Sequence, residues 1–345
     1  MGPVKPVITG PTFCLIITSE VVRELDGQDW TTSGLTTLSI MFSGSAGLTG
    51  QLYCKIGNTK VVYDGEAASL GIGAWQAWNI DLAAVGGNLA NVKELIIGVD
   101  GGTSGVLYID EIRLYPRAGE LITPADPGSV HVVGQWKFDE GTGDTAADSS
   151  GNGYHGTLEG NSAGAWVPGR EGNALTTGEY VYVSLPAETW STIDSQFTVA
   201  FWAQDAATLA NNWAFFAGNA SGRLVSGHLP WNNEVIFDTT ADWVDERIIQ
   251  AATDDLLMGH WHHWAFIKNA DTGEKQVYLD GRLFASASAS ATPITGVDRF
   301  NIGAGDDGVA PYDGQIDEFT LFNRALSAAE VLGLAGGTLP LHKAF

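Results

Sequence analysis

Near its C-terminal end the chain reads Gly314-Gln-Ile-Asp-Glu-Phe-Thr-Leu-Phe322, and it uses nearly the same phrase earlier, as Tyr108-Ile-Asp-Glu-Ile-Arg-Leu-Tyr115. Apolar residues stand two apart at Ile112 and Leu114 in one copy and at Phe319 and Leu321 in the other. That is the period of a strand, whose successive side chains point to opposite faces. Working outward, the same kind of run recurs at Leu35–Phe42, Leu52–Ile56, Trp75–Leu82, Glu94–Val99, Tyr180–Ser184, Thr198–Ala203, Trp261–Lys268 and Lys275–Leu279. Gly, Asn and Asp separate the runs, and strands at this spacing predict an all-β protein of sandwich or jelly-roll type. One short segment carries a helix signature, Ser327-Ala-Ala-Glu-Val-Leu-Gly-Leu334, where Ser327 and Glu330 make a capping box.

The alternation also predicts where the repeated aspartates point. Asp110 falls on the face of Ile112 and Leu114, and Asp317 on the face of Phe319 and Leu321. A carboxylate on an apolar face costs on the order of several kcal/mol unless it is paired or metal-bound. Each phrase therefore asks for a partner.

The 345 residues have room for two domains, and a hydrophobic content of 44% is enough for real cores. The 44 glycines and 12 tryptophans suit aromatic strands joined by tight turns. A net charge of −23 excludes a phosphate-binding stripe for nucleic acid and an affinity for anionic membranes. It fits a soluble extracellular protein, with calcium on clustered carboxylates as one reason and solubility as the other. No stretch is long enough to span a bilayer. The opening residues show no secretory cleavage pattern, so an exported protein would here be a fragment of a longer chain. Cys14 and Cys54 either form one bridge in the first domain or do nothing together.

The stretch Pro116–Gly128, PRAGELITPADPG, holds three prolines and no strand pattern, so it reads as a linker. The predicted organisation is an atypical segment at 1–18, a β-sandwich at 19–117, a linker at 118–129, a second jelly roll at 130–335 and a tail at 336–345.

In the second part the residues become specific. Trp136-Lys-Phe-Asp-Glu-Gly-Thr-Gly143 and Ala147-Asp-Ser-Ser-Gly-Asn-Gly-Tyr-His-Gly-Thr-Leu158 are followed by Phe197-Thr-Val-Ala-Phe-Trp-Ala203, Trp261-His-His-Trp-Ala-Phe266, Val277-Tyr-Leu-Asp-Gly281 and Ile302-Gly-Ala304. With the closing Gly314–Ser327 phrase, these resemble, in order, the bacterial LamG-like domains of the laminin G/concanavalin A-like jelly rolls. In the first part, Gln28-Asp-Trp-Thr31, Lys60-Val-Val-Tyr-Asp-Gly65, Trp78-Asn-Ile-Asp-Leu82 and Leu107–Pro116 resemble a carbohydrate-binding-module-like β-sandwich. That domain often precedes LamG-like domains in large surface proteins of environmental bacteria. Residues 1–18 do not match its pattern, which predicts lost or replaced opening strands.

The resemblance implies a structural calcium ion where the Asp148–Gly153 loop approaches the last strand. Its candidate ligands are Asp148, Asn152, Asp317 and Glu318, with Asp139 nearby; the competing reading is Asx turns at Asp148 and Asn152 and amide capping by Asp317. The equivalent first-domain candidates are Asp110 and Glu20. A second cluster, His228, Trp231, Asn233, Asp238, Trp243 and Arg247, mixes aromatic faces with polar groups as sugar sites do. Its competing reading makes Trp231 a core plug and His228 a structural histidine. His262 and His263 are neighbours on one strand, point to opposite faces and cannot chelate one ion together.

Catalysis leaves a weaker trace. Hydrolases of this fold place acids on one strand as E-x-D-x-x-E, and Glu24-Leu-Asp-Gly-Gln-Asp29 is a coincidental near match. No nucleophile elbow, zinc helix or phosphate loop occurs. If the chain is an enzyme, a glycoside hydrolase or polysaccharide lyase, its acids are sought at Asp238, Asp245 and Glu246. The leading expectation is a non-catalytic, extracellular carbohydrate-binding or adhesion protein with structural calcium. Its partner is a polysaccharide or glycoprotein glycan, and a structural spacer is the third possibility.

Overall fold

The computed structural model describes residues 13–15, 19–102, 104–160, 164–178, 181–205, 210–239, 247–252, 257–288 and 290–345. Trp243, Asp245 and Glu246 lie outside the described residues. The chain divides into two compact units, Met1–Pro124 with Gly337–Phe345, and Ala125–Gly336. It is built on antiparallel strands, and no helix among the described residues is long and apolar enough to cross a membrane.

The first unit is two four-stranded sheets. One runs Phe13–Leu15, Gly105–Tyr115, Thr37–Gly44, Gln76–Asp81; the other runs Ser19–Gln28, Val92–Asp100, Gln51–Ile56, Thr59–Val62. Alternate residues Leu38, Ile40, Phe42, Trp78 and Ile80 of one sheet bury against Leu52, Cys54, Leu95 and Ile97 of the other. Cys54 is buried and free, and burial pushes its thiol up to about 12. Two segments read from sequence as unstructured are used here. Leu121–Ile122, inside the proline-rich stretch, pairs with Leu341–His342 from the tail.

The second unit packs two eight-stranded sheets. The first is ordered Trp166–Pro168, Asn173–Thr176, Gly314–Phe322, Gln196–Asp205, His262–Asn269, Glu274–Leu279, Arg282–Ala287, with Val132–Trp136 also paired to Gly314–Phe322. The second is ordered Thr145–Ala146, Gly156–Glu159, Tyr182–Leu185, Arg299–Ile302, Phe215–Asn219, Gly222–Trp231, Glu234–Asp238, Arg247–Ala251. Between them Phe201 stacks on Phe319 at 5.3 Å, and Phe215 and Phe237 meet Phe266 edge-on at 5.2 and 5.3 Å. The outer face of the first sheet buries Ala265, Ile267, Tyr278 and Phe322 with Val331 of the helix Ala328–Leu334. The predicted capping box starts that helix, with both reciprocal Ser327–Glu330 bonds present.

The repeated Ile-Asp-Glu phrase makes the same defect twice. At Asp317–Glu318 the ladder slips, so that Trp202 faces Asp317 and Ala200 faces Thr320; at Asp110–Glu111 it slips again, so that Met41 faces Asp110 and Ser39 faces Arg113. The glutamate of each pair takes a left-handed conformation, φ 49° at Glu318 and 46° at Glu111. The aspartate Oδ1 accepts the following amide, at 2.8 Å in one copy and 2.7 Å in the other. This is a β-bulge, and one extra residue reverses every face beyond it. The strict alternation read from sequence is thereby corrected. Asp317 shares a face with Trp202 rather than with Phe319, and Asp110 is exposed while Ile112 is buried.

Candidate functional site

The second sheet of the second unit turns Phe215, Val225 and Phe237 into the core. Alternation therefore sends Phe216, Ser226, His228 and Asp238 to the other face, where Ser226 lies across the ladder from both Phe216 and Asp238. Asp238 faces Arg247 on the next strand, and Arg223 reaches it from a slip in the ladder near Gly218. The result is a charged group with almost no water around it. Asp238 is 1% exposed and ion-paired with Arg223; Arg247 Nε donates to its Oδ1 at 2.6 Å and Nη2 to its Oδ2 at 3.0 Å. Burial alone would raise this carboxyl. Hydrogen bonds from His228 and Arg247 and the charges of both arginines outweigh it and hold the group at about 2.

His228 connects this ion cluster to an aromatic one. Its Nδ1 lies 2.8 Å from the Asn212 carbonyl, and its Nε2 lies 3.1 Å from Ser226 Oγ and 3.6 Å from Asp238. Its ring packs against Trp213 at 4.4 Å and Trp231 at 5.3 Å, and the two indoles meet edge-on at 6.2 Å. Trp213 and His228 are buried, whereas Trp231 and Arg247 are half-buried. A half-buried tryptophan and a half-buried arginine, each braced by buried partners, are residue types that can serve a polar ligand with a ring face and with donors. His228 itself is a structural histidine with both ring nitrogens engaged. Asn233 is also reassigned. With Asn232 it forms the hairpin turn at φ 54° and 61°, a conformation asparagine tolerates, and it is exposed.

Four contributors escaped the sequence reading: Asn212, Trp213, Arg223 and Ser226. Ser226 and His228 were recoverable as i, i+2 partners on one face. The other three reach the site through a loop or a ladder slip, which no period reveals.

The predicted calcium ligands are divided between two loops. Asp148 Oδ1 accepts the amides of Gln135 and Ser150 at 3.0 and 2.8 Å, and its Oδ2 accepts that of Tyr154 at 3.0 Å. Burial opposes its ionisation, but these bonds, with the Ser150 hydroxyl, keep the carboxyl below its ordinary value. Asn152 Nδ2 donates to the carbonyls of Val132 and Val133, each at 3.0 Å. Asp317 works elsewhere: its Oδ2 accepts the amides of Arg170 and Glu171 at 2.8 and 2.9 Å, clamping the loop that Asp139 also holds through the amide of Asn173. Burial pushes Asp317 up to about 6, with Asp139 adding to it and the amides opposing. Glu318 is raised by burial first and by Asp317, Glu171 and Asp139, against the pull of Lys137 at 3.9 Å. Among the described residues no group of three or more His, Cys, Asp or Glu side chains is arranged to hold a metal ion.

In the first unit, Glu20 and Asp110 sit on different sheets. Glu20 accepts from the Tyr53 hydroxyl at 2.6 Å and pairs with Lys55. The His262–His263 pair behaves as packing. His263 lies against Trp202 at 5.4 Å, and burial pushes it down to about 4; His262 contacts Asp280 at 2.8 Å.

The family model described as the concanavalin A-like lectin/glucanases superfamily, Laminin_G_3, matches residues 177–332. No curated protein sequence matches the chain. Among solved structures, domain 4 of AbnA, an extracellular GH43 arabinanase from Geobacillus stearothermophilus in complex with arabinotriose, aligns at 22% identity and TM-score 0.47, over 59% of this chain and 98% of that one. The binding domain of botulinum neurotoxin DC in complex with SialylT aligns at 15% identity and TM-score 0.49, over 60% of this chain. The binding domain of Paraclostridial Mosquitocidal Protein 1 aligns at 16% and 0.48. The chain spans about half the length of these two toxin domains, 52% in each case.

Proposed function

We propose that the chain is a non-catalytic carbohydrate-binding or adhesion protein acting outside the cell, a reading supported by the match of residues 177–332 to the concanavalin A-like lectin/glucanases superfamily. Its partner in this reading is a polysaccharide or a glycoprotein glycan. The fold alone does not choose this, since the same sandwich hosts lectins and hydrolases. The observation that carries it is the half-buried Trp231 ring, braced by Trp213 and His228, with Arg247 presented by Asp238 on the same sheet. Catalysis finds less support at Asp238. A carboxyl held at about 2 has no proton to give near neutral pH, and at 1% exposure it has no room to attack a substrate.

Affinity gels and a glycan array test the reading. Retention on a glycan should fall at least tenfold in Trp231→Ala and in Arg247→Ala, with no reducing ends or unsaturated products released. Absence of retention on every glycan leaves the spacer reading; product release makes the chain an enzyme.

Structural calcium is the second element of the proposal, put in this reading beside Asp139, Asp317 and Glu318. Asp139 adds to the charge cost of Asp317 and Glu318, and Asp317 to that of Glu318, which a cation beside them would relieve; Asp148 and Asn152 are occupied by backbone groups. Calcium should then raise the melting temperature of the second unit and EDTA should lower it, with Asp139→Asn abolishing the difference.

A further inference from the structure

Residues 337–345 return to the first unit only after the whole of Ala125–Gly336 has intervened in sequence. This tail is held by its backbone and by its side chains. Leu341–His342 pairs antiparallel with Leu121–Ile122, and the Lys343 amide donates to the Glu120 carbonyl at 2.9 Å. Glu66 Oε1 accepts the amides of Thr338 and Leu339 at 2.9 and 2.8 Å, and Asn79 Nδ2 donates to the Lys343 carbonyl at 2.8 Å. His342 Nε2 meets Asp64 Oδ1 at 2.7 Å, and Lys343 Nζ donates to Glu120 Oε2 at 2.8 Å. Leu341 is 6% exposed, and Phe345 stacks on Tyr115 at 3.8 Å with the Arg117 guanidinium 4.7 Å from its ring.

All of these partners lie in the first unit between Asp64 and Ile122, so the contacts are the same whichever copy of the chain supplies the tail. The tail is also separable from the rest of that unit. Both four-stranded sheets are complete without it, and among the described residues the buried core of the unit includes none of 337–345. A segment fastened outside the core opens at less cost than global unfolding. Its hinge is the pair Gly336-Gly337. Gly336 sits at φ 78° with open space where a side chain would stand, so the chain can change direction there. The charges match as well. In a chain of net charge −23 the tail carries Lys343 and no acidic residue, while its groove offers Asp64, Glu66 and Glu120. Tail and groove are therefore complementary although whole copies repel one another.

We propose that the tail is an exchangeable strand: the groove along Leu121–Ile122 accepts residues 337–345 of a second copy, and copies join by trading tails. The contacts are identical within one chain and between two, so the hinge and the protein concentration set the balance. The inference stands independently of the Trp231 reading, because it uses the tail and groove of the first unit only.

Two full-length variants make the exchange visible, one with Ile122→Cys alone and one with Leu341→Cys alone. These positions face each other across the pair. Split between two chains, they form a 122–341 disulfide only where one copy's tail sits in the other's groove. The two are mixed at high concentration, cycled through partial denaturation and back, and oxidised; peptide mapping then measures the 122–341 link. Its yield should exceed at least tenfold that of a control pairing Leu341→Cys with Val22→Cys, a position 53% exposed in the same unit. A large excess of the synthetic peptide Thr338–Phe345 should lower the yield at least tenfold. Light scattering on the unmodified chain after the same cycle should show a dimer that grows with concentration, and Leu341→Asp should remove it. A 122–341 yield no higher than the control, indifference to the peptide, a chain monomeric at every concentration, or a dimer that survives Leu341→Asp would each overturn the proposal.

Discussion

Asp110 and Asp317 stand in the same phrase, in the same bulge, with the same local hydrogen bond, yet one is exposed and the other fully buried. The difference lies in what covers them. Over Asp317 the loop from Gly169 to Asn173 closes down and spends two backbone amides on the second carboxylate oxygen. Among the described residues no backbone amide beyond that of Glu111 donates to Asp110. A local motif thus determines a local shape, and whether its carboxylate becomes a tertiary anchor depends on a distant loop.

Substitution should separate the two sharply. Asp317→Ala strands three backbone amides and is expected to destabilise the second unit by about 3 kcal/mol, since each unpaired buried donor is expensive. Asp110→Ala should change the first unit by no more than about 0.5 kcal/mol. Denaturant unfolding followed on each unit's own transition measures both, and equal losses would show that the bulge, not the covering loop, carries the energy.

Acid sharpens the contrast between buried and surface carboxylates. Folding lowers Asp238 from its usual 3.8 to about 2, so the folded chain binds fewer protons than the unfolded one between those values. Its stabilisation, about 2 kcal/mol, is fully present above pH 4 and is lost as the pH falls towards 2. Urea midpoints of the second unit taken from pH 5 to pH 2 should fall with this slope, and Asp238→Asn should flatten it. An unchanged slope in that variant would assign the acid response to other carboxylates.

Smaller effects belong to the chain-end fastenings of each unit. Ser327→Ala removes the cap of the Ala328–Leu334 helix and should cost the second unit about 1 kcal/mol. Glu66→Ala releases Thr338 and Leu339, and should cost the first unit about 1 kcal/mol while accelerating hydrogen exchange at those two amides. If exchange there is unchanged, Glu66 is not what protects those two amides.

Much of the architecture was legible in the residues. Predicted runs such as Leu52–Ile56 and Lys275–Leu279 appear within a residue or two of their observed bounds, because alternation across a half-buried sheet is a local property. The helix start at Ser327 was legible for the same reason. The site was legible only in part. His228, Trp231, Asp238 and Arg247 do share one cluster, but its depth was not visible: Arg223 and Trp213 enclose Asp238 and His228 through a ladder slip and a loop, which no period reveals. Asn233 was chosen for its amide and serves through its tolerance of positive φ. Cys54 could not be placed from the count of cysteines, and it is a buried free thiol.

The sequence by itself determined what depends on neighbours along the chain: the strand periods, the capped helix, the turn residues and the family resemblance of the second unit. Tertiary structure alone decided which face each aspartate takes, since one bulged residue reverses the alternation. It also decided that the C-terminal residues 337–345 complete the first unit. Pairing of Leu121–Ile122 with Leu341–His342 joins segments separated by an entire folded unit, and no local pattern encodes a partner that far away.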